Sequence, residues 1–239
     1  MTEQVEQKKR RPRKGGYACG DETRTKIIAA GLSVFGNLGF DGASTRMLAE
    51  KAGVNLPALQ YYFDGKEGVY LACASYIADR FEVRIGPLVK RAEQELAKKN
   101  ISREQLLDTL LEILDAYGDL FLSAGEIERW SLFVVREQMQ PTKAFEIIYS
   151  RVMRLVSRTC TAIVGRLLKW PADDPRTFIR TLMLLGQIII FRVGREAALR
   201  TLGWPNFEGD RMAIVKSTIR EEVIAALGAS RELGHRGKK

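Results

Sequence analysis

Apolar residues recur at helical spacing along almost the whole chain. In the stretch "DETRTKIIAAGLSVFGNLG", Ile27, Val34, Phe35 and Leu38 fall on one face of a helix. The shorter stretches "TRMLAEKA" and "LPALQYYF" follow, separated by "GVN". Because no stretch alternates between apolar and polar residues as a half-buried strand does, the pattern predicts an all-α protein with about ten helices.

Capping residues and prolines divide this pattern into elements. Asp21 is a predicted N-cap of the first helix and Gly39 its stop. The fourth helix should begin near Lys66 and break or kink at Gly86–Pro87. The capping box "SREQ" at 102–105 predicts the start of the next helix, and another helix is expected at about 126–139. Pro141–Thr142 should open a long helix that ends before Trp170–Pro171. Two more helices are expected, one at about 175–200 capped by Asp174 and a last one at about 210–227.

Residues 44–63 carry the most specific pattern in the chain. Two short helices are separated by the tight turn "AGVN" and preceded by a supporting amphipathic helix. This arrangement is typical of a helix-turn-helix, whose second helix enters the major groove of DNA. An ordinary helical hairpin is the alternative interpretation of the same pattern.

The stretch "STRMLAEKAGVNLPALQYYFDGKEGVY" closely resembles the DNA-binding domain of the tetracycline-repressor (TetR) family of bacterial transcription factors. Two later stretches, "VREQMQPTKAFEIIY" and "LLGQIIIFRVGREAALRTLGW", resemble the CecR-like branch of that family. The resemblance implies an N-terminal three-helix helix-turn-helix domain followed by a larger helical ligand-binding and dimerisation domain. We expect a basic arm at 1–20, the DNA-binding domain at 21–66, the larger domain at 67–230 and a basic tail at 231–239.

The resemblance also implies which residues contact DNA. Phosphates are the expected partners of Thr45 and Lys66, and Arg46 lies where some family members read guanine. The groove-facing residues are then Asn55, Leu56, Pro57, Ala58 and Gln60, with Tyr61 and Tyr62 on the sugar-phosphate backbone. Gln60 or Asn55 has the donor and acceptor pair that adenine requires. For the two tyrosines, packing beneath the recognition helix is an equal alternative.

The positive charge of the chain is concentrated at its ends. The formal net charge is +9, of which residues 1–14 supply +4 (six basic, two acidic) and residues 231–239 supply +3 (four basic, one acidic). Residues 21–68 hold five basic and six acidic groups, a net charge of −1. We expect the arm "KKRRPRK" (Lys8–Lys14) to supply the missing attraction to phosphates, the alternative being a solubilising tail that contacts nothing.

Sensing and pairing are the roles expected of the second half. By resemblance, the helices at 175–200 and 210–227 pair in a homodimer, with Gly186, Ile190, Gly194 and Ala198 as candidate interface residues. A cavity for an unidentified small-molecule effector is likewise implied. Its candidate lining consists of Trp130, Phe133, Phe145, Tyr149 and Phe191, with Arg136, Glu137 and Gln187 as polar groups. Each aromatic residue can instead belong to the core, and Arg136 and Glu137 to a salt-bridged surface.

Enzymatic, metal-binding and membrane functions have no support in the sequence. The single histidine, His235, lies in the polar tail, and Cys19, Cys73 and Cys160 are too widely spaced to bind one metal. The longest apolar stretch, "LMLLGQIIIF", is about half of a membrane span. We therefore expect a cytoplasmic protein without cofactor or metal. It should be a homodimeric repressor that binds a pseudo-palindromic operator in double-stranded DNA and is released by a small molecule.

Overall fold

The computed structural model describes the backbone of residues 16–122 and 126–228 and the side chains of residues 21–122 and 130–228. No strand occurs in these residues, which confirms the all-α prediction. The helices are α1 (Gly16–Gly42), α2 (Thr45–Ala52), α3 (Leu56–Phe63), α4 (Lys66–Leu96), α5 (Arg103–Leu122), α6 (Glu126–Met139), α7 (Lys143–Ile148), α8 (Arg154–Leu168), α9 (Pro175–Val193), α10 (Arg195–Leu202) and α11 (Asp210–Gly228).

The predicted caps agree with the structure at most helix ends. Ser102 and Gln105 form the reciprocal capping box, with the two N–H···O distances at 3.0 and 3.1 Å. Thr142 caps α7, and Asp174 caps α9 with Pro175 in the first turn. The predicted long helix after Thr142 is present as α7 and α8, joined without interruption by a π-helical turn at Tyr149–Met153.

The first helix begins earlier than its sequence indicated. Asp21 is not an N-cap, because α1 already starts at Gly16 and the Asp21 carbonyl accepts a hydrogen bond from Thr25 Oγ1 inside the helix. Gly39 does interrupt the regular geometry, with φ of 74° and ψ of 179°. Helical turns continue beyond it to Gly42, so the interruption is a kink within one element.

The helices differ from the prediction at two points: α4 is not broken at Gly86–Pro87, and the predicted helix over 175–200 is interrupted. Helix α4 runs through Gly86 and Pro87 without ending, because Ile85 and Val89 are buried on either side and hold the helix against the core. This packing offsets the hydrogen bond that proline removes. Conversely, the predicted helix over 175–200 divides at Gly194, whose N–H donates to the Ile190 carbonyl at 2.7 Å, and α10 turns by 78° from α9.

One continuous hydrophobic core links the helix-turn-helix to the rest of the chain. Helix α4 belongs to both parts, since Val69 and Cys73 pack against α1 while Phe81 packs against Tyr117 and Phe121 of α5. Helix α6 also contacts α1. Among the described residues, no single helix is long and apolar enough to cross a membrane; only the bent pair α9–α10 passes on length and composition.

Candidate DNA-binding surface and ligand cavity

The helix-turn-helix is held by a cap at each of its ends. Ser44 Oγ accepts from the Met47 N–H at 3.2 Å at the start of α2. The turn then depends on Gly53, which has a φ of 65° that side chains resist, and its N–H closes α2 on the Glu50 carbonyl. Asn55 Oδ1 accepts from the Ala58 N–H at 3.0 Å and starts α3. These contacts fix where α2 begins and ends and where α3 begins.

Helix α3 has one buried face and one face open to solvent. Leu59 and Phe63 are buried and anchor it, and the Arg24 guanidinium lies over the Phe63 ring at 5.0 Å. The exposed residues are Asn55, Leu56, Pro57, Gln60 and Tyr61, whereas Ala58 and Tyr62 are half-buried. All seven were predicted to face DNA, and the five exposed ones are accessible to a groove in this conformation.

The polar groups of α3 are already engaged in hydrogen bonds. Gln60 Nε2 donates to Asp64 Oδ1 at 2.6 Å, and Asn55 Oδ1 serves as the helix cap. A bidentate pair with adenine needs the amide nitrogen and oxygen together, and Gln60 keeps its oxygen and one of its two N–H donors while it bonds to Asp64. Asn55 keeps its amide N–H groups for a base edge while its oxygen holds the cap. Sequence alone gave no sign of either commitment.

Lys66 has a structural role that the sequence did not reveal. Its Nζ donates to the Phe40 carbonyl at 2.8 Å and to the Ala43 carbonyl at 2.9 Å, and it lies 4.2 Å from the centre of the Phe40 ring. The ammonium thus ties the start of α4 to the segment before α2. It has three donors, so one remains for a phosphate.

The remaining predicted contacts lie at the start of α2 and the end of α3. Arg46 is exposed, and Thr45 is half-buried. Tyr61 is 82% exposed, and its ring meets that of Tyr62 edge-on at 5.0 Å. The sequence left two alternatives for each tyrosine, contact with DNA or packing beneath the recognition helix. Tyr61 projects into solvent, where DNA can reach it, whereas Tyr62 packs partly against the core.

A cavity of about 760 Å³ lies within the helices that follow the DNA-binding part. Helices α4 and α5 contribute Phe81, Tyr117 and Phe121, and α9 contributes Phe178, Leu182, Leu185, Gly186 and Ile189. Helix α8 contributes Arg154, Ser157, Arg158 and Thr161. The volume of the cavity and its mostly apolar lining are typical of a small-molecule binding site.

The cavity contains only part of the predicted lining. Phe145 and Tyr149 line it, with ring centroids 5.6 Å apart. Trp130 lies behind it, 5.2 Å from the Phe81 ring, and Phe191 packs against Phe207 at 5.7 Å. Phe133, Arg136, Glu137 and Gln187 are not among its lining residues either. Helix α6 places the first three of these four towards α1 and α4, which periodicity alone does not distinguish from the cavity side.

Arg136 and Glu137 join α6 to the DNA-binding part. Arg136 donates to the Gly36 carbonyl at 2.8 Å and to the Asn37 carbonyl at 2.5 Å, near the end of α1. The buried Glu137 accepts from the Tyr70 hydroxyl of α4, and its second oxygen accepts from the N–H and hydroxyl of Thr142. Burial, followed by the bond to Glu137, raises the pKa of Tyr70 far above its usual value, so the hydroxyl stays protonated.

The predicted interface residues do not form one stripe. Ile190 is exposed, but Gly186 lines the cavity, Gly194 lies at the bend after α9, and Ala198 is partly buried on α10. Because the helix breaks at Gly194, the spacing of small residues does not extend along a single face. The exposed apolar side chains of this region are instead Phe178, Ile179, Leu182, Met183, Ile190 and Val193 on α9, with Ile214 and Ile224 on α11. The described residues contain no cluster of metal-ligating side chains.

Comparison with known proteins places both parts of the chain. Residues 27–73 match the family "Bacterial regulatory proteins, tetR family", and residues 88–230 match "HTH-type transcriptional dual regulator CecR, C-terminal domain". The chain is 32% identical over 200 residues to the dual regulator CecR of Shigella flexneri, an alignment that covers 84% of this chain and 89% of that protein. It is 34% identical over 85 residues to the regulator RutR of Escherichia coli K12, covering 33% and 40% of the two chains.

Solved structures share the fold at low sequence identity. AibR, determined with isovaleryl coenzyme A and operator DNA, superposes with a TM-score of 0.60 at 12% identity over 85% of this chain and 97% of its own. HlyIIR, a haemolysin II transcriptional regulator, gives 0.55 at 17% identity over 87% and 97%. These comparisons confirm the predicted family, fold class and absence of an enzymatic role. The chain therefore belongs to the tetR family of bacterial regulatory proteins, in its CecR branch, and is a DNA-binding transcriptional regulator.

Proposed function

We propose that the protein is a homodimeric repressor that binds a pseudo-palindromic operator and is released from it by a small molecule in the cytoplasm. The observation that carries this proposal is the combination of a capped helix-turn-helix with a large apolar cavity, connected through α6. AibR, which shares the fold, was determined with both a ligand and operator DNA. The name of the CecR relative, a dual regulator, adds activation as a second candidate role.

The operator contacts follow from the exposed surface of α2 and α3. The N-terminus of α3, with Leu56, Pro57 and Gln60, would enter the major groove, while Thr45 and Tyr61 would contact its backbone edges. Arg46 is exposed beside them and has the geometry to read guanine. Apolar Leu56 and Pro57 suit thymine methyl groups. We propose this face, with Lys66 mainly holding it in position, as the base-reading surface.

Homodimer formation would bury the apolar surface of α9 and α11. Met183 and Ile190 are 67% and 58% exposed, and Ile179 and Val193 lie on the same side of α9. Such an extended exposed apolar surface is unusual on a monomer. Pairing of the two helices with those of a second copy would also place two recognition helices on successive half-sites, as a two-fold symmetric operator requires.

The last turn of α6 provides a route from the cavity to the DNA-binding part. Three successive residues point in different directions: Arg136 holds the end of α1, Glu137 holds Tyr70 of α4, and Gln138 lines the cavity. A ligand that displaces Gln138 would shift the two neighbouring contacts. Because α1 and α4 flank the helix-turn-helix, the two recognition helices would lose their spacing. A tenfold loss of operator affinity requires only about 1.4 kcal/mol of coupling.

Selection of genomic fragments by the purified full-length chain, followed by sequencing, tests the proposal. We expect a pseudo-palindrome, recovered by the unchanged protein and lost by Arg46→Ala and Gln60→Ala. Adding candidate compounds to the recovered operator then separates release from enhanced binding, and therefore repression relieved by ligand from activation. Binding without any shared motif, or recovery by both variants equal to that of the parent, would contradict the proposal and favour a helical sensor without sequence-specific DNA binding.

A further inference from the structure

The walls of the cavity differ sharply in polarity. Helix α8 contributes the apolar residues Val156 and Ala162, and it also presents polar side chains at 154, 157, 158 and 161, which lie on one face of the helix. The facing helix α9 presents Phe178, Leu182, Leu185 and Ile189, which are all apolar. Phe81, Tyr117 and Phe121 close the remaining side with aromatic rings. A ligand that fits these walls has an apolar, ring-containing body with polar groups along one edge.

Two arginines of the polar wall have no partner among the described residues, and both are exposed to solvent. Within residues 21–122 and 130–228, Arg46, Arg154 and Arg158 are the arginines without a hydrogen bond, ion pair or ring contact. Other guanidiniums are satisfied, as Arg151, one residue before α8, is by Asp79 and Glu82. Arg154 and Arg158 are also one helical turn apart, where like charges repel each other. An anion between them would relieve this repulsion and satisfy both groups.

A buried hydroxyl adds to the unmet polar groups of the same wall. Thr161 is only 6% exposed and lines the cavity, yet its Oγ1 has no hydrogen-bond partner in the part of the chain that the structure describes. A buried hydroxyl without a partner is costly, so a ligand group that bonds to it after a small side-chain rotation is favoured. Asp173, at the exposed edge, is the acidic residue among the lining residues and leaves an excess of one positive charge there.

We propose that this cavity takes an organic anion: an apolar, ring-containing molecule whose acidic group lies between Arg154 and Arg158 and whose neutral polar group reaches Thr161. The inference rests on the proposed function in that it names the chemical class of the effector. It concerns ligand binding by the protein itself, so it can be tested without DNA. Loss of operator binding would leave it standing, and its own failure would leave operator binding untouched.

A pair of fluorescent probes isolates the anionic group. The sulfonate 1-anilinonaphthalene-8-sulfonate and neutral N-phenyl-1-naphthylamine have the same aromatic skeleton and differ in one sulfonate. We expect the full-length chain to bind the sulfonate at least about fivefold more tightly at low salt, because charge-assisted hydrogen bonds from guanidinium to an acid are strong and salt screens them. Equal affinities for the two probes, or no binding of either, would overturn the proposal.

Variants of Arg154 and Arg158 test whether these two residues cause the preference for the sulfonate over the neutral probe. The double variant Arg154→Gln/Arg158→Gln should lose the preference while binding the neutral probe within about twofold of the parent, and the double lysine variant should keep part of it. Arg200→Gln is the matched control, since Arg200 is exposed on α10 and does not line the cavity. An equal loss in this control would show that the net charge, and not the cavity, sets the preference.

Two further measurements locate the site and narrow the acid. Ser157→Trp should fill the space between the arginines and abolish binding of both probes; unchanged binding would mean that the probes lie outside the cavity, against the proposal. Displacement of the sulfonate by naphthalene-2-carboxylate or by 2-naphthyl phosphate then distinguishes a carboxylic acid from a phosphate ester as the preferred group.

Discussion

Gly68, in the first turn of α4, lies where α4 approaches the end of α3 too closely for any side chain. A Cβ built at this position would lie 1.4 Å from the carbonyl oxygen of Phe63, the last residue of α3, and 2.6 Å from the carbonyl carbon. Real Cβ contacts with backbone atoms are not found below 3.0 Å. Gly68→Ala therefore requires the end of α3 and the start of α4 to separate by about 1.6 Å or more.

We expect this separation to affect both stability and DNA binding. Overpacking costs about 1–3 kcal/mol, and at this chain length each kcal/mol lowers the melting temperature by about 2–4 °C. Because α3 itself has to move, operator affinity should fall by at least about tenfold, which corresponds to about 1.4 kcal/mol. Fluorescence anisotropy with the selected operator and thermal unfolding by circular dichroism measure the two effects.

Gly86 on the same helix is the matched control. Beyond its chain neighbours, a Cβ at Gly86 meets nothing within 4 Å, so Gly86→Ala should leave operator affinity unchanged. Because Pro87 follows, and a Cβ before proline disfavours the helical conformation, we expect no gain in the stability of α4. If Gly68→Ala bound operator like the parent and melted within about 2 °C of it, the close approach of α4 to Phe63 would not position α3.

Three further outcomes are expected. Met183→Glu/Ile190→Glu should convert the proposed dimer into a monomer in sedimentation velocity, while Val83→Glu, on an exposed position of α4, should not; a dimer that persists would exclude the α9 surface. Thr161→Val should raise the free energy of unfolding by about 1 kcal/mol without ligand, since it removes an unpaired buried hydroxyl; destabilisation would refute this. Burial raises the pKa of Cys160 to about 12, so this thiol alone should lower stability by up to about 1.4 kcal/mol per pH unit between pH 9 and 12. Burial also raises the pKa of Cys73, so Cys160→Ala should remove only part of the decline.

The helix-turn-helix was predictable because its signals are local. Ser44, Gly53 and Asn55 cap helices within a few residues of themselves, so the ends of α2 and the start of α3 depend on local sequence. Whether a helix continues or ends at Pro87 and at Gly194 was not predictable from local sequence. Proline is the stronger helix breaker, yet α4 continues through Pro87 because both flanking turns are buried, whereas α9 ends at Gly194. Tertiary packing, which the local sequence does not contain, decides between them.

The cavity could not be predicted for a related reason. Its walls come from every helix between α4 and α9, over about 100 residues of the chain. An aromatic residue in a core helix also has the same periodicity as one in a cavity wall. Trp130 and Phe133 are therefore core residues, whereas Phe145 and Tyr149 line the cavity. The unpaired state of Arg154 and Arg158 becomes visible only when every neighbouring carboxylate is located in space.

The DNA-binding part lacks the positive charge that attraction to DNA phosphates requires. Residues 21–68 carry a net charge of −1, and within them Lys26 is paired with Glu22 while Lys66 is bonded to two backbone carbonyls. Helix N-termini and backbone N–H groups can position phosphates, but the sequence-independent attraction scales with the number of cations close to them. The six basic residues within 1–14 lie outside the described residues and remain our predicted source of that attraction.

Deleting residues 1–14 tests this source quantitatively. Each phosphate contact contributes about 0.9 to the slope of log affinity against log salt concentration, so six basic residues could contribute up to about five per arm. We expect the deletion to weaken operator binding at low salt and to make the slope less steep by at least about two, while the recovered base sequence stays the same. An unchanged slope would show that the arm does not contact DNA, and the neutral contacts of α2 and α3 would then have to account for all of the affinity.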